Sequence, residues 1–358
     1  MPSEFDLIVV GGGPAGSAAA ITAAGAGMRV LLVDRARFPR PKLCSGILTA
    51  KTRRLLEALG LDPRPALDGV WDRTWVGFHD HGHLLHHAPL VTALRARLDT
   101  LLLEAAARAG AEIRTGTGVR TCDPAGGRVT LEDGRQVQAR LLVGADGATG
   151  VTRRALGLPA RPGWALEVLV PDPRPPEART AVVEWGLPAR GYAWLWPHAG
   201  GRVAVGAGVF GGRAAARRLP ALLRAWAAGR GLSLPARLSG HAVPVALVPP
   251  AAGGGRLLLA GDAAGLADPL TGEGIAYALW SGILAAQAAI HDRPDTYAGL
   301  LARGPWAFQA PLRRMAATPA RLLRLAWAAR RAWGTVVDRT PPLPGTGPTP
   351  AEPLAPPA

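Results

Sequence analysis

The 358-residue sequence predicts an α/β protein in which a Rossmann-like dinucleotide-binding domain is interwoven with an antiparallel β-sheet domain. Three observations predict it. A strand–turn–helix–strand unit opens the chain, two further apolar runs end in Asp-Gly or Gly-Asp, and short β-like runs separate those two.

The opening unit is the uncharged stretch between Asp6 and Arg29, whose glycines and Pro14 argue against a membrane span. "FDLIVV" reads as a buried strand, "GGGPAG" as a turn, "SAAAITAAGAG" as a small-residue helix and "RVLLVD" as the next strand. Gly11, Gly13 and Gly16 have the G-x-G-x-x-G spacing, which lets backbone amides and a helix N-terminus approach a pyrophosphate. Pro14 and Ala15 complete that turn. Asp34 stands at the end of the second strand, where a carboxylate accepts hydrogen bonds from a ribose, and Arg35 follows it. These residues alone suit NAD or FAD.

The later segments decide between them. "ARLLVGADGATG" places Asp146-Gly147, and "GRLLLAGDAAGLADPLTGEGIAYALWSG" places Gly261-Asp262, at the carboxyl end of a strand, where ligands bind in parallel sheets. Such carboxylates suit the ribityl hydroxyls of a flavin. The loop from Asp268 to Gly274, including Gly272, brings backbone amides toward a flavin ring, and the helix from Gly274 and Ile275 aims its positive end there. FAD is therefore the expected cofactor.

Segments 1–65, 90–160 and 240–290 are expected to form the FAD domain, with a hairpin turning at Asp133-Gly134. Segments 70–90 and 162–238 are expected to form the substrate-binding sheet, 291–338 a helical region, and 340–358 a solvated proline-rich tail. Within the sheet, "GYAWLWP" sets Tyr192, Trp194 and Trp196 on one strand face, in a chain only 5% aromatic. Those rings serve either as core packing against "RVAVGAGVF" or as the wall for a long apolar substrate. The run "HDHGHLLHH" reads as a polar hairpin rather than a metal site, because its histidines are broken by a glycine turn.

The formal charge of +15 comes almost entirely from scattered arginines, with lysine only at positions 42 and 51, so no nucleic-acid partner is expected. Two cysteines, Cys44 and Cys122, make no disulfide framework, and no basic leader with a cleavage site is seen. A cytoplasmic protein is expected. Thr318-Pro319 starts a basic amphipathic helix, with Leu322, Leu325, Ala326, Ala329 and Trp333 on one stripe, suited to packing on the core or to peripheral contact at the inner face of a membrane.

Over roughly residues 5–300 the chain resembles the geranylgeranyl reductase family within the flavoprotein monooxygenase fold. The resemblance rests on "VVGGGPAGSAAA", on "FPRPKLCSG", similar to P-R-x-K-x-C-G-G, on "GADGATG", on the 260–282 segment, and on "GYAWLWP", similar to Y-x-W-x-F-P. It implies an FAD-dependent reductase of C=C bonds in an isoprenoid chain, with Tyr192, Trp194 and Trp196 lining the substrate cavity. It also implies that Cys44 acts near the flavin in relaying a proton and that Arg95 reaches the cofactor, where the residues alone allow an inert buried thiol and a solvated helix charge. Ser45, Gly150 and Trp196 depart from the family pattern of Gly, Ser and Phe. A monooxygenase of apolar substrates and a non-catalytic lipid-binding flavoprotein are the alternatives. NAD(P)H, bound transiently for lack of a second fingerprint, or a ferredoxin-type donor would reduce the flavin.

Overall fold

The computed structural model describes residues 4–78, 81–158, 163–175, 178–187, 191–209, 213–245 and 249–317. Its opening elements are β1 (Phe5–Val10), α1 (Pro14–Gly25) and β2 (Val30–Asp34). In the first sheet β6 (Glu112–Thr115), β2, β1, β9 (Gln136–Gly144) and β16 (Leu257–Leu259) lie side by side and parallel. The two-residue β15 (Gly253–Gly254) closes one edge antiparallel. The central strands β1, β2 and β9 carry buried runs over residues 7–10, 30–33 and 141–144, as a sheet covered on both faces requires.

Because the strands are parallel, their carboxyl ends share one edge, which gathers the turn after β1, Asp34, Asp146 and Asp262. The hairpin of β7 (Val119–Asp123) and β8 (Arg128–Leu131) runs on into β9 through Gly134.

Small residues are what let the layers close. Helix α1 buries Ala15, Gly16, Ala18, Ala19, Ala20, Ala23 and Ala24 and packs on α3 (Arg95–Arg108) and α6 (Ile275–Ile290). A Cβ on Gly282 of α6 would stand 2.1 Å from the Ala15 carbonyl oxygen, so the two helix backbones touch.

The second sheet runs β14 (Ser239–Val243), β10 (Gly163–Pro171), β13 (Arg202–Val209), β12 (Gly191–His198), β11 (Ala181–Trp185), β4 (Leu67–Phe78), β5 (His81–Ala93), β3 (Ile47–Leu48). Its pairs are antiparallel except β4 with β11, which are parallel because the chain crosses the first domain between them. Leu219, Leu223, Trp226 and Ala227 of α5 (Arg213–Ala228) cover one face, packing with Ala193, Leu195, Val203 and Val205. The even-numbered residues of β12 face the other way.

The sheet reaches further along the chain than expected. β3 lies within 1–65 yet pairs with β5, β5 extends to Ala93, and β14 begins at Ser239. A two-residue strand after a glycine carries no periodic signal to reveal it. Histidines 81 to 87 lie on β5, paired with β4, while His79 is outside the described residues. The segment 318–358, with the amphipathic stretch and the tail, is also outside them; α7 (Tyr297–Leu301) and α8 (Ala310–Ala317) precede it. Among the described residues no helix is long and apolar enough to cross a membrane, and no group of three or more His, Cys, Asp or Glu is placed to hold a metal.

If the α1–α6 contact closes the first domain, Gly282→Val should lower stability by ~1–3 kcal/mol through overpacking. Denaturant unfolding checks this; an unchanged midpoint would contradict the contact.

Candidate active site

The turn after β1 is shaped by backbone contact. Gly11 has φ +105°, and a Cβ on Gly16 would lie 1.8 Å from the Gly11 carbonyl oxygen. Gly13 caps α1 without a side-chain hydrogen bond and Pro14, the first helical residue, has no N–H to leave unpaired, so the helix start presents backbone amides to an anion. Asp34 accepts hydrogen bonds from the Gly12 and Ala36 amides at 2.7 Å each, which brace the carboxylate and leave lone pairs on both oxygens. Arg35 is exposed beside it.

Arg40, which the sequence reading passed over, brings its guanidinium to within 3.9 Å of where a Cβ on Gly13 would stand. It is held by Asp99 at 3.2 Å. Arg95 grips the same Asp99 with two hydrogen bonds of 2.8 Å. It is buried, not a solvated helix charge. Burial works against its charged form, but Asp99 and the Cys44 sulfur offset this and raise its pKa above the ordinary arginine range.

Cys44 is exposed, and its Sγ accepts a hydrogen bond of 3.4 Å from the Gly46 amide. Lys42 contacts Nε2 of His241 on β14, and its other titratable neighbours are Asp262, Arg95, Cys44 and Arg40. Burial, with help from Arg95 and Arg40 and against Asp262 and Cys44, lowers Lys42 to about 8. Burial and the nearby cations lower His241 to about 4, so near neutrality the lysine ammonium donates to a neutral imidazole. Asp262 is raised by burial, which Lys42 and Arg95 oppose. Cys122, away from this group, is half-buried, and burial with Asp146 and Asp123 raises its thiol to about 12.

Asp146 turns its carboxylate back on its own loop, accepting from the Thr152 amide at 3.0 Å and the Thr152 hydroxyl at 2.5 Å. Gly147 makes the turn at φ +87°. The departure at Gly150 follows from this arrangement, since a Cβ there would lie 2.0 Å from Asp146 Oδ1. Gly261 packs where a Cβ would meet Ala15 and Ala278 at 3.0 and 3.2 Å. Asp268 is fully buried, and its Oδ1 accepts from the Leu270 and Thr271 amides at 2.8 and 2.7 Å, folding the loop back toward Gly274. Gly274 caps α6 without a side-chain bond, and Ile275 is its buried first residue. Glu273 reaches into a buried group missed from the sequence, pairing with Lys51 at 2.5 Å and Thr49 at 2.7 Å.

The face of β12 that carries Tyr192, Trp194 and Trp196 lies opposite these loops. The Tyr192 hydroxyl donates to the Thr271 carbonyl, and a Cβ on Gly272 would come 2.6 Å from that hydroxyl. Tyr192 and Trp194 are buried with ring centroids 5.2 Å apart; half-buried Trp196 stacks at 5.6 Å on Trp71. Trp194 lies over Gly206 of β13, whose missing side chain makes room for the indole. Its Nε1 donates to the buried Glu167 carboxylate at 2.8 Å.

These residues fit a flavin dinucleotide: a glycine turn, an uncapped helix start, Asp34 and Arg40 for the adenosine pyrophosphate, and the uncapped start of α6 with Asp262 for the flavin end. The sequence matches the FAD binding domain family over residues 4–179. It is 35% identical to the menaquinone reductase of Mycolicibacterium smegmatis over 80% of this chain and 76% of that protein. It is 32% identical to digeranylgeranylglycerophospholipid reductase 1 of Methanopyrus kandleri over 84% of both. The chain belongs to the geranylgeranyl reductase family.

This family member is an FAD-dependent oxidoreductase. Its fold is that of the geranylgeranyl bacteriochlorophyll reductase-like protein of Thermoplasma acidophilum, with a TM-score of 0.77 at 22% identity over 93% of each chain. Arg40, Lys42, Cys44 and Ser45 all fall in the family-like "FPRPKLCSG" stretch, so nine consecutive residues bring two cations and the thiol to the site.

The lowered Lys42 pKa predicts a pH effect. The folded protein releases this proton at about 8, below the ordinary lysine value of 10.5. Between those values the unfolded chain binds more protons, so the Lys42 contribution to stability rises with pH through that window. Thermal unfolding of wild type against Lys42→Met should show the variant gaining relative stability below about pH 8, where the buried charge is costly, with the difference shrinking toward pH 10.5. A difference independent of pH would refute the assignment.

Proposed function

We propose that this reductase saturates carbon–carbon double bonds in the isoprenoid chain of an apolar substrate. The observation that carries this reading is the aromatic face of β12, which meets the cofactor loops through the Tyr192–Thr271 contact. Its relatives named for menaquinone and for digeranylgeranylglycerophospholipid act on molecules that share a polyisoprenoid chain and differ in the head, which supports the chain rather than the head as the common feature.

Bound FAD supplies hydride chemistry, and the chain's own residues do the rest. Gly11, Gly13, Pro14, Ala15 and Gly16 with Arg40 would hold the pyrophosphate, and Asp34 the ribose. Asp262, Gly272, Gly274 and Ile275 would border the flavin ring. Tyr192, Trp194 and Trp196 would line the path of the isoprenoid chain, exclude water and fix its orientation, since an isolated alkene offers no polar handle. The exposed Cys44 would hold a proton at Sγ for the second alkene carbon, with Arg95 and Lys42 beside it. The reductant would be NAD(P)H or a ferredoxin-type donor. The basic amphipathic stretch after Thr318 would make peripheral contact with the membrane that holds such a substrate.

The test is anaerobic. Holoprotein reduced with dithionite, given geranylgeranyl-bearing or menaquinone substrates, should yield products about 2 Da heavier, one hydride plus one proton per double bond. Bound flavin that yields no such product, and instead consumes oxygen when substrate is added in air, would replace this reading with a monooxygenase. In the same assay Cys44→Ala should keep the flavin spectrum and slow turnover by roughly 10²–10⁴, the range of a lost general acid. Undiminished turnover would remove Cys44 from the mechanism.

A further inference from the structure

The Cys44–Ser45–Gly46 turn hangs between the two domains, and two contacts pin it to the second sheet. The Ser45 hydroxyl donates to Oε2 of Glu167 on β10. The Gly46 carbonyl accepts from the Ala93 amide at 2.8 Å. Glu167 is 7% exposed, and the same Oε2 takes the Trp194 indole N–H at 2.8 Å. One buried oxygen thus joins the turn that carries the thiol to a ring of the aromatic face. The family pattern has glycine at position 45, so the hydroxyl bond belongs to this chain rather than to the motif.

We propose that Glu167 is a positioning residue for the reaction, tying the Cys44 turn to Trp194 so that thiol and aromatic wall keep one fixed separation across the cleft. This rests on the reading that the alkene lies between them. The Ser45 hydroxyl and the Trp194 indole N–H both donate to Oε2, while burial, the stronger influence, pushes the pKa of Glu167 up against them. An apolar side chain in its place leaves both donors without their acceptor and cuts the tether. The thiol then loses its register without leaving the cleft, and proton delivery to an alkene is sensitive to such a displacement.

The experiment uses FAD-loaded protein carrying Glu167→Leu or Ser45→Gly, beside wild type and Cys44→Ala. Cys44 alkylation by iodoacetamide is followed by peptide mass spectrometry, which separates it from Cys122. Both variants should keep the flavin spectrum and alkylate Cys44 faster than wild type. With a substrate that wild type reduces, kcat should fall roughly ten- to a hundredfold in Glu167→Leu with KM little changed, and by less in Ser45→Gly. A Glu167→Asp variant, one methylene short, should not restore the rate. Wild-type alkylation and kcat in both variants would overturn the proposal. Should Glu167→Leu not fold, Ser45→Gly decides by the same two measurements. If Cys44→Ala turns over normally, the role given to the thiol fails, while the alkylation rates still judge the tether on their own.

Discussion

The carboxylate of Asp268 sits where no water reaches it and gathers the Leu270 amide, the Thr271 amide and the Thr271 hydroxyl onto one oxygen. Burial raises the pKa of this carboxyl group, and the two amides with Lys51 work against that rise. The resulting loop has one shape, closed again by the Asp268 amide on the Glu273 carbonyl. From it follow the direction of α6, the place of Glu273 against Lys51, and the Thr271 carbonyl that receives Tyr192. Without that carboxylate the cofactor end of the site and its contact with the second sheet would lose their common anchor.

Two of the tethers between the domains end on β12. Tyr192 holds the Asp268–Gly274 loop, and Trp194, through Glu167, holds the Cys44 turn. The two rings are next-but-one neighbours on the strand, about 6.6–6.8 Å apart along it. The strand therefore acts as a rigid spacer between cofactor loop and thiol. Gly206 and Gly208 on β13 carry no side chains in that layer, which is why the indole of Trp194 can lie down on the sheet rather than stand in the cleft.

What was legible in the sequence was local. The Gly11–Gly16 turn, the strand ends at Asp34 and Asp262, and the alternation of Tyr192, Trp194 and Trp196 are each written within a few residues of continuous chain, where periodicity and turn chemistry operate. Glu167 with Ser45, and Lys42 with His241, are 122 and 199 residues apart, and no local pattern marks either pair. Arg95 looked like any helix-surface arginine because its partner Asp99 makes an ordinary i,i+4 pair; only the fold reveals that both are buried. The parallel pairing of β4 with β11 was hidden for a similar reason, since strand direction depends on where the intervening chain crosses, not on the strands themselves.

Charge explains why these arginines and this lysine are tolerated in the interior. Arg40, Arg95 and Lys42 are grouped with two carboxylates, Asp99 and Asp262, and His241 stays neutral near pH 7. Asp99 is shared by both arginines, and burial weakens Asp262 as an anion. A cluster biased toward positive charge inside a protein is costly on its own and favourable beside an anion. A flavin dinucleotide brings two phosphate charges to the Gly13 end, where Arg40 lies, so cofactor binding and the stability of the cluster are linked in one equilibrium. The scattered surface arginines that dominate the net charge have no part in this. The functional charge of the protein is the small buried share that the "FPRPKLCSG" turn and the first residue of α3 carry into the cleft.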